Sequence, residues 1–454
     1  MTPKQLMHEL DHAPTSFRYW RAVVILFAIT MADYFDFFLA AFLVAVVAPA
    51  WHLTFQQISI MLVSAGVGGM VGALVSGYVS DRIGRKWTTI SAVLICGLFS
   101  SSIALVSDGD WITFSVLRFF VGFGLAGAAT PCVSLIVEYS PLRVRTIVGG
   151  LQNVSATLGV LLASALTATL YHTLGWRGMA ATGLVSVALG LLAIPWIPES
   201  VRWLISSGRL ERGRKGAEAW LGRAIPPIEI GQRESGPDSS VPETGYIKKS
   251  TLFMRLVIVS IMWMFTAMVN IGVYSWGPTI VSMVMSIPLT QVGHVFVIVS
   301  SFGIAGKIFF SFLAKWIGRR PTGQIAGAGM AVFLTAVAVS GDSQFLGIPL
   351  FVAFLAISAI FFDGIFANVV PYTAELFPVR ISSRAVGVGQ AANGAGKIIG
   401  PMMLAAIAGK DSLVTRDATI AAAFPGFMAL AACGIGLALA FTTLRVETKN
   451  KTLA

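Results

Sequence analysis

Apolar residues in this chain gather into long runs separated by short polar breaks. The runs have the length of a bilayer's hydrocarbon core, which about twenty residues of helix cross at ~1.5 Å per residue. Read against that length, the pattern predicts helices over 21–48, 57–80, 88–106, 112–138, 147–171 and 177–197, and again over 253–283, 290–314, 322–340, 347–374, 385–408 and 418–443. The fold class this implies is an all-α membrane protein with twelve transmembrane helices. An even number of crossings returns both termini to one side.

Residues 198–252 form the one long polar stretch, and they divide the helices six and six. The expected organisation is an N-terminal bundle over 1–197, a linker over 198–252, and a C-terminal bundle with its tail over 253–454. Within the linker, Arg202 to Leu221 can form an amphipathic surface helix. Residues 225–245, rich in Pro, Gly, Ser and charge, read as a flexible connection. The two halves repeat each other: Glu138-Tyr-Ser-Pro141-Leu-Arg143 recurs as Glu375-Leu-Phe-Pro378-Val-Arg380, and Gly84-Arg85-Lys86 recurs as Gly318-Arg319-Arg320. Repeated halves of this kind build a central site at their interface in secondary carriers.

Composition agrees with a membrane class: 56% of the 454 residues are hydrophobic and 12% are charged, about half the charge of a soluble domain. The net charge of +11 would suggest nucleic acid, but the basic residues are placed otherwise. Of the 32 Lys and Arg, 26 fall in segments on the side of the termini, three (Arg177, Lys410 and Arg416) on the opposite side, and three inside helices. By the positive-inside rule that split makes both termini cytoplasmic and accounts for the basic charge without a nucleic-acid partner. The expected location is the inner (cytoplasmic) membrane, with the lipid bilayer as partner and a monomer as the working unit. Glu9 and Asp11 near the start, and the length of the first apolar run, argue for a retained cytoplasmic tail rather than a cleaved signal. Cys96, Cys132 and Cys433 lie in apolar runs with no metal or disulfide spacing. No cofactor and no metal site is expected.

Gly77-Tyr-Val-Ser-Asp81-Arg82-Ile-Gly84-Arg85-Lys86 resembles the loop 2–3 motif of the major facilitator superfamily, and the resemblance covers nearly the whole chain. It implies two pseudo-symmetric six-helix halves and transport by alternating access. It also implies a cytoplasmic gate formed by Gly77, Asp81, Arg82, Gly84, Arg85, Glu138, Arg143, Glu375 and Arg380, in which Asp81 accepts bonds from a neighbouring helix end. The second copy has Lys315 where Asp81 would fall, so one such latch is expected. Pro198-Glu-Ser-Val-Arg202-Trp-Leu204 and Glu447-Thr-Lys-Asn-Lys-Thr-Leu453 look like sugar-porter motifs, as does Arg118 with Gly122 and Gly124. Met264 and Phe265 stand where those porters carry paired glutamines, and Val370 where they carry a tryptophan. Asp33-Tyr-Phe-Asp36, and Gly387-Val-Gly389 with Gly396-Lys397-Ile-Ile-Gly-Pro401, resemble the aromatic-acid and organic-anion branches instead.

Six ionisable residues fall inside predicted helices: Asp33, Asp36, Arg118, Lys307, Asp363 and Lys397. Each costs several kcal/mol at mid-bilayer unless it lines a cavity or finds a partner. Asp33 and Asp36 are three apart on one helix face, and two such carboxylates are expected to share and exchange a proton. In the sugar porters the acid matching Asp36 pairs with the arginine matching Arg118 and couples protons. The resemblance implies that Asp36 carries the proton, Arg118 controls its affinity and Asp33 assists; a static salt bridge in a uniporter is the alternative. A Lys307–Asp363 pair would leave Lys397 free for an anionic ligand; in the other arrangement Lys397 pairs with Asp363 and Lys307 snorkels to the cytoplasm. Asn270, Tyr274 and Trp276 on helix 7, with Tyr34, Phe35 and Phe37 on helix 1, could complete a largely apolar pocket.

These features favour a secondary active transporter: proton-coupled symport of a small organic anion, with an aromatic monocarboxylate such as a benzoate or nicotinate-like acid among the candidates. Protons and that anion are the expected partners, and no enzymatic activity is expected. A sugar or organic-cation transporter of the same superfamily, or a non-transporting membrane sensor, are the alternatives.

Overall fold

The computed structural model describes residues 1–228, 249–341, 343–345, 347–377 and 379–448, and within them the side chains of Lys4, Thr146, Asn153, Lys249, Val379, Arg380, Ser382 and Ser383 are left aside. The linker from residue 229 to 248, Pro378, Lys449 and Lys451 lie outside the described residues, as does the Arg380 side chain.

The first half runs through α1 (Pro3–His12), α2 (Phe17–Ala50), α3 (Phe55–Ile83), α4 (Arg85–Ser102), α5 (Trp111–Tyr139), α6 (Leu142–Ala181) and α7 (Leu184–Trp196). Two short helices follow, α8 (Val201–Ser206) and α9 (Leu210–Leu221). The second half comprises α10 (Lys249–Met285), α11 (Leu289–Ile317), α12 (Arg319–Ser340), α13 (Leu350–Gly364), α14 (Phe366–Glu375), α15 (Val379–Ala408) and α16 (Arg416–Thr443). Polar caps set several starts: Ser16, Thr54, Asp110 and Thr415 each accept a backbone N–H from the first turn of the helix they precede.

Among the described residues, eleven helical stretches are long and apolar enough to cross a bilayer, α13 and α14 counting together as Leu350–Glu375. The sequence predicts twelve. The difference lies at Gly175, whose φ of 61° and ψ of −177° interrupt α6. The chain beyond it, Trp176 to Ala181, continues through Thr182 and Gly183, both right-handed helical, into the 13-residue α7. The sixth crossing is therefore divided between the end of α6 and α7. The predicted tenth helix starts late as well, because Gln344–Phe345 and Ile348–Pro349 pair as a two-stranded turn. The N-terminal tail is helical where no helix was expected: Leu6 and Leu10 of α1 pack on Ala217 of α9 and on Ile225. The amphipathic segment after Arg202 is split into α8 and α9.

Packing repeats between the halves. α3 on α5, α4 on α5, α2 on α6 and α4 on α7 match α11 on α13, α12 on α13, α10 on α15 and α12 on α16. Small residues allow the closest approaches, as membrane helices require. A Cβ on Gly122 would overlap the Ala65 carbonyl, and one on Gly306 would overlap that of Ile360. The halves meet through α2 with α10, α3 with α15 and α6 with α11.

Their contacts lie from mid-depth to the end opposite the termini. There Leu53–Gln56 and Lys410–Val414 form a main-chain clasp: Phe55 N–H donates to Ser412 O (3.1 Å), Gln56 N–H to Lys410 O (3.1 Å) and Val414 N–H to Leu53 O (3.0 Å). Phe55 stacks on Trp276 at 5.7 Å, and Phe42 meets Phe296 edge-on at 5.6 Å. At the terminal end, the described hydrogen bonds and ion pairs of the helix ends stay within one half and its adjoining linker or tail.

Candidate translocation site

Asp33 and Asp36 lie about 24 and 28 Å along α2, near its middle. Both are buried, at 4% and 2% exposure. Asp36 points into the N-terminal bundle. Its carboxylate accepts from Ser100 Oγ on α4 (2.8 Å) and Ser186 Oγ on α7 (3.3 Å), with Cys96 Sγ at 3.8 Å. The expected Asp36–Arg118 ion pair is not made: Arg118 donates instead to the main-chain carbonyls of Asp36 and Phe37, both at 3.3 Å. Arg118 is 2% exposed, and its Nε has no hydrogen-bond partner among the described residues. The arginine therefore reaches the Asp36 carboxylate through its field and not through a contact ion pair. Asp33 Oδ1 is likewise buried without a hydrogen-bond partner among the described residues, while Tyr34 is 37% exposed.

In the C-terminal half, neither lysine makes a contact ion pair with Asp363, though Lys307 is near enough to act on it through its field. Asp363 accepts from Asn270 Nδ2 (2.9 Å) and Tyr274 Oη (2.7 Å), and a Cβ on Gly303 would overlap its Oδ2. Asn270 and Tyr274, expected as pocket donors, are therefore spent on a buried carboxylate. Their spacing of four on α10 aims both at one residue of α13. Lys307 Nζ donates across the interface to Thr157 Oγ1 of α6, so it does not snorkel to the helix end. Trp276 is buried near the clasp, with Nε1 bonded to Pro401 O at 3.2 Å. It closes that end rather than lining a central pocket.

Lys397 lies ~27 Å along α15 and is partly buried. Among the described residues it has neither an ion pair nor a hydrogen bond. Its Nζ sits 5.7 Å from the centroid of the Phe37 ring, which also has the Arg118 guanidinium at 5.9 Å. Gln390 and Asn393 precede it at spacings of seven and four, on the same face of α15.

The gate residues form two matched networks. Gly84 (φ 107°) and Gly318 (φ 99°) join α3 to α4 and α11 to α12 in a conformation that disfavours a side chain. The carboxylate that latches the helix start is Glu199, not Asp81: its Oε1 accepts the N–H groups of Arg85 (3.0 Å) and Lys86 (3.1 Å) at the α4 N-terminus. Glu447 does the same for Arg319 (2.9 Å) and Arg320 (3.0 Å). Arg85 Nε binds Glu138 at 3.2 Å and Arg319 Nη2 binds Glu375 at 3.0 Å. Ser200 and Thr448 donate to those same acids. Asp81 is exposed, with Arg85 at 3.4 Å, and Gly77 has open space around it. Arg82 lies over Tyr78. Arg143 is exposed and unbonded among the described residues. Arg145 serves in its place, joining Arg202 on Asp11 of α1, each at 2.6 Å. Burial pushes the Asp11 carboxyl up, but the hydrogen bonds from Arg145 and Arg202 outweigh it, and the group sits below its ordinary value of 3.8.

The sequence reading missed Glu199, Glu447, Asp11, Ser100, Ser186 and Thr157. A signal for the first two was present: Pro198-Glu-Ser and Val446-Glu-Thr follow the last helix of each half. Tyr139 and Tyr372 even donate to the equivalent Pro198 and Val446 carbonyls.

Two repeated bundles, clasped at one end and carrying charged side chains at mid-depth, define a multi-pass membrane protein. The pattern of the Major Facilitator Superfamily matches residues 26–346, and the chain belongs to that family. The 4-hydroxybenzoate transporter PcaK of Pseudomonas putida is 27% identical over 60% of this chain and 61% of its own length. The same-named protein of Acinetobacter baylyi is 27% identical over 84% and 82%, and rat solute carrier family 22 member 7 is 26% identical over 75% and 63%. The chain thus spans under two thirds of the length of the first and last of these relatives. A crystal structure of a D-xylose-proton symporter shares the fold with a TM-score of 0.72 at 19% identity, covering 95% of this chain and 99% of the other.

Proposed function

We propose that this transporter carries a small organic anion, an aromatic monocarboxylate in the first instance, together with a proton by alternating access. The observation that carries the proposal is Lys397: an ammonium at mid-depth, without a counter-ion among the described residues, beside the interface of the halves. A charge so placed is costly unless it serves a ligand or a hydrated path, and a carboxylate is its natural complement. The names of relatives agree in kind: 4-hydroxybenzoate and cis,cis-muconate are both carboxylates. A sugar porter is less well supported, since Asn270 and Tyr274 already serve Asp363.

The proton belongs to the Asp33–Asp36 pair. Ser100 and Ser186 can each donate to an ionised Asp36 or accept from a protonated one, so the acid can gain and lose a proton without leaving a broken bond. Arg118 acts on it through the α2 backbone and its field. Cytoplasmic termini, from the 26-to-3 distribution of Lys and Arg, make the clasped end the outer one. The observed state then opens inward, with the gate networks of Arg85 and Arg319 each held within a half. The inner membrane follows from the same reading.

Uptake of labelled benzoate or 4-hydroxybenzoate into proteoliposomes tests the proposal. An inward proton gradient should drive it. Lys397→Gln should abolish binding of the carboxylate, and Asp36→Asn should stop gradient-driven uptake while sparing exchange. Uptake by Asp36→Asn that still follows the gradient would refute the proton assignment; indifference of Lys397→Gln would refute the anion site.

A further inference from the structure

Phe37 holds a position that the proposed mechanism does not use. Its partly buried ring is shared by two cations from different halves, the Lys397 ammonium at 5.7 Å and the Arg118 guanidinium at 5.9 Å. Neither cation makes a contact ion pair among the described residues, and Arg118 Nε is buried and unbonded there. The ring is therefore the compensating group on the Lys397 side, through its quadrupole. The backbone fixes it there: the Phe37 carbonyl accepts from Arg118 Nη2 at 3.3 Å, and the ring meets Phe38 edge-on at 5.1 Å. Phe38 in turn contacts Tyr274, the residue that binds Asp363.

We infer that Phe37 is the specificity-determining residue of the anion site, making it prefer a carboxylate borne on an aromatic ring over the same carboxylate on a saturated one. The inference rests on Lys397 being the anion ligand. A carboxylate makes a charge-assisted hydrogen bond to an ammonium, a stronger contact than a cation–π approach of nearly 6 Å. It therefore takes Lys397 from the ring. The ring then loses one of its two cations and presents an unsatisfied face beside the carboxylate's own substituent. An aromatic substituent fills that place with an offset or edge-to-face pair; a cyclohexyl group of similar size supplies contact area without the quadrupole match.

The test is a competition between benzoate and cyclohexanecarboxylate for uptake into proteoliposomes. The unsubstituted protein should favour benzoate about three- to tenfold, equivalent to about 0.7–1.4 kcal/mol at 1.4 kcal/mol per factor of ten. Phe37→Leu should bring the ratio close to one by weakening benzoate, whereas Phe37→Tyr and Phe37→Trp should retain it. Phe37→Met, which keeps the volume without the ring, replaces the leucine variant if that one does not reach the membrane. Unchanged discrimination in Phe37→Leu or Phe37→Met, or equal loss of both acids, overturns the role of Phe37 while leaving the carboxylate reading standing. Absence of uptake of either acid by the unsubstituted protein, or indifference of both to Lys397→Gln, overturns the two together.

Discussion

Thr54 and Leu413 face each other across the clasp at the end opposite the termini, and replacing both by cysteine should lock the halves there. Antiparallel partners lie about 4.5–5.5 Å apart between Cα atoms, inside the roughly 4.4–6.8 Å that a disulfide spans. Three main-chain bonds of 3.0–3.1 Å hold the clasp. At about 0.5–1.5 kcal/mol net each, they bias the closed arrangement by about 1.5–4.5 kcal/mol, or roughly ten- to 1,600-fold in population. Thermal opening against such a bias is compatible with turnover; a covalent bridge is not. Thr54→Cys/Leu413→Cys, oxidised in proteoliposomes, should lose uptake and recover it on reduction, while each single variant should transport in both conditions. The native Cys96, Cys132 and Cys433 are buried, so they should contribute little background. Full transport by protein shown to be cross-linked would mean that the halves never part at this end, and alternating access about the central charges would fail with it.

The remaining predictions concern the gate and the halves' polar contact. Gly84→Ala places a Cβ against the Glu199 carboxylate at a φ of 107°, and should cost about 1–3 kcal/mol of backbone strain, read as a lower thermal midpoint in detergent; an unchanged midpoint would show that the turn relaxes freely. Asp11→Asn should destabilise the protein at neutral pH by about 1 kcal/mol. Because the folded Asp11 carboxyl sits below its ordinary value of 3.8, its contribution is complete above that value and fades as pH falls through the lowered folded one. Melting curves of the two proteins should therefore converge only in strong acid, and convergence near neutrality would contradict the Arg145–Asp11–Arg202 bridge. Thr157→Val removes the oxygen that Lys307 binds across the interface and should shift the balance of conformations, measured as altered uptake kinetics with folding intact; kinetics identical to the parent's would make that bond incidental.

Much of this architecture is readable in the residue order. Most helix positions and the matched Gly84 and Gly318 turns follow from local run length and repetition, because insertion energies add up residue by residue along one helix. The list of buried charges is readable for the same reason. Their partners are not. Asp36 turns to Ser100 and Ser186, Asp363 to Asn270 and Tyr274, Lys307 to Thr157, Arg118 to the Asp36 and Phe37 carbonyls, and Lys397 to the Phe37 ring. Glu199, outside every predicted helix, holds the helix start that Asp81 was expected to hold. These choices depend on how each helix is rotated about its axis, on which glycines admit a neighbour's backbone, and on which end of the bundle is closed. All three are set by packing between segments distant in the chain, where differences of a few kcal/mol select one partner over another.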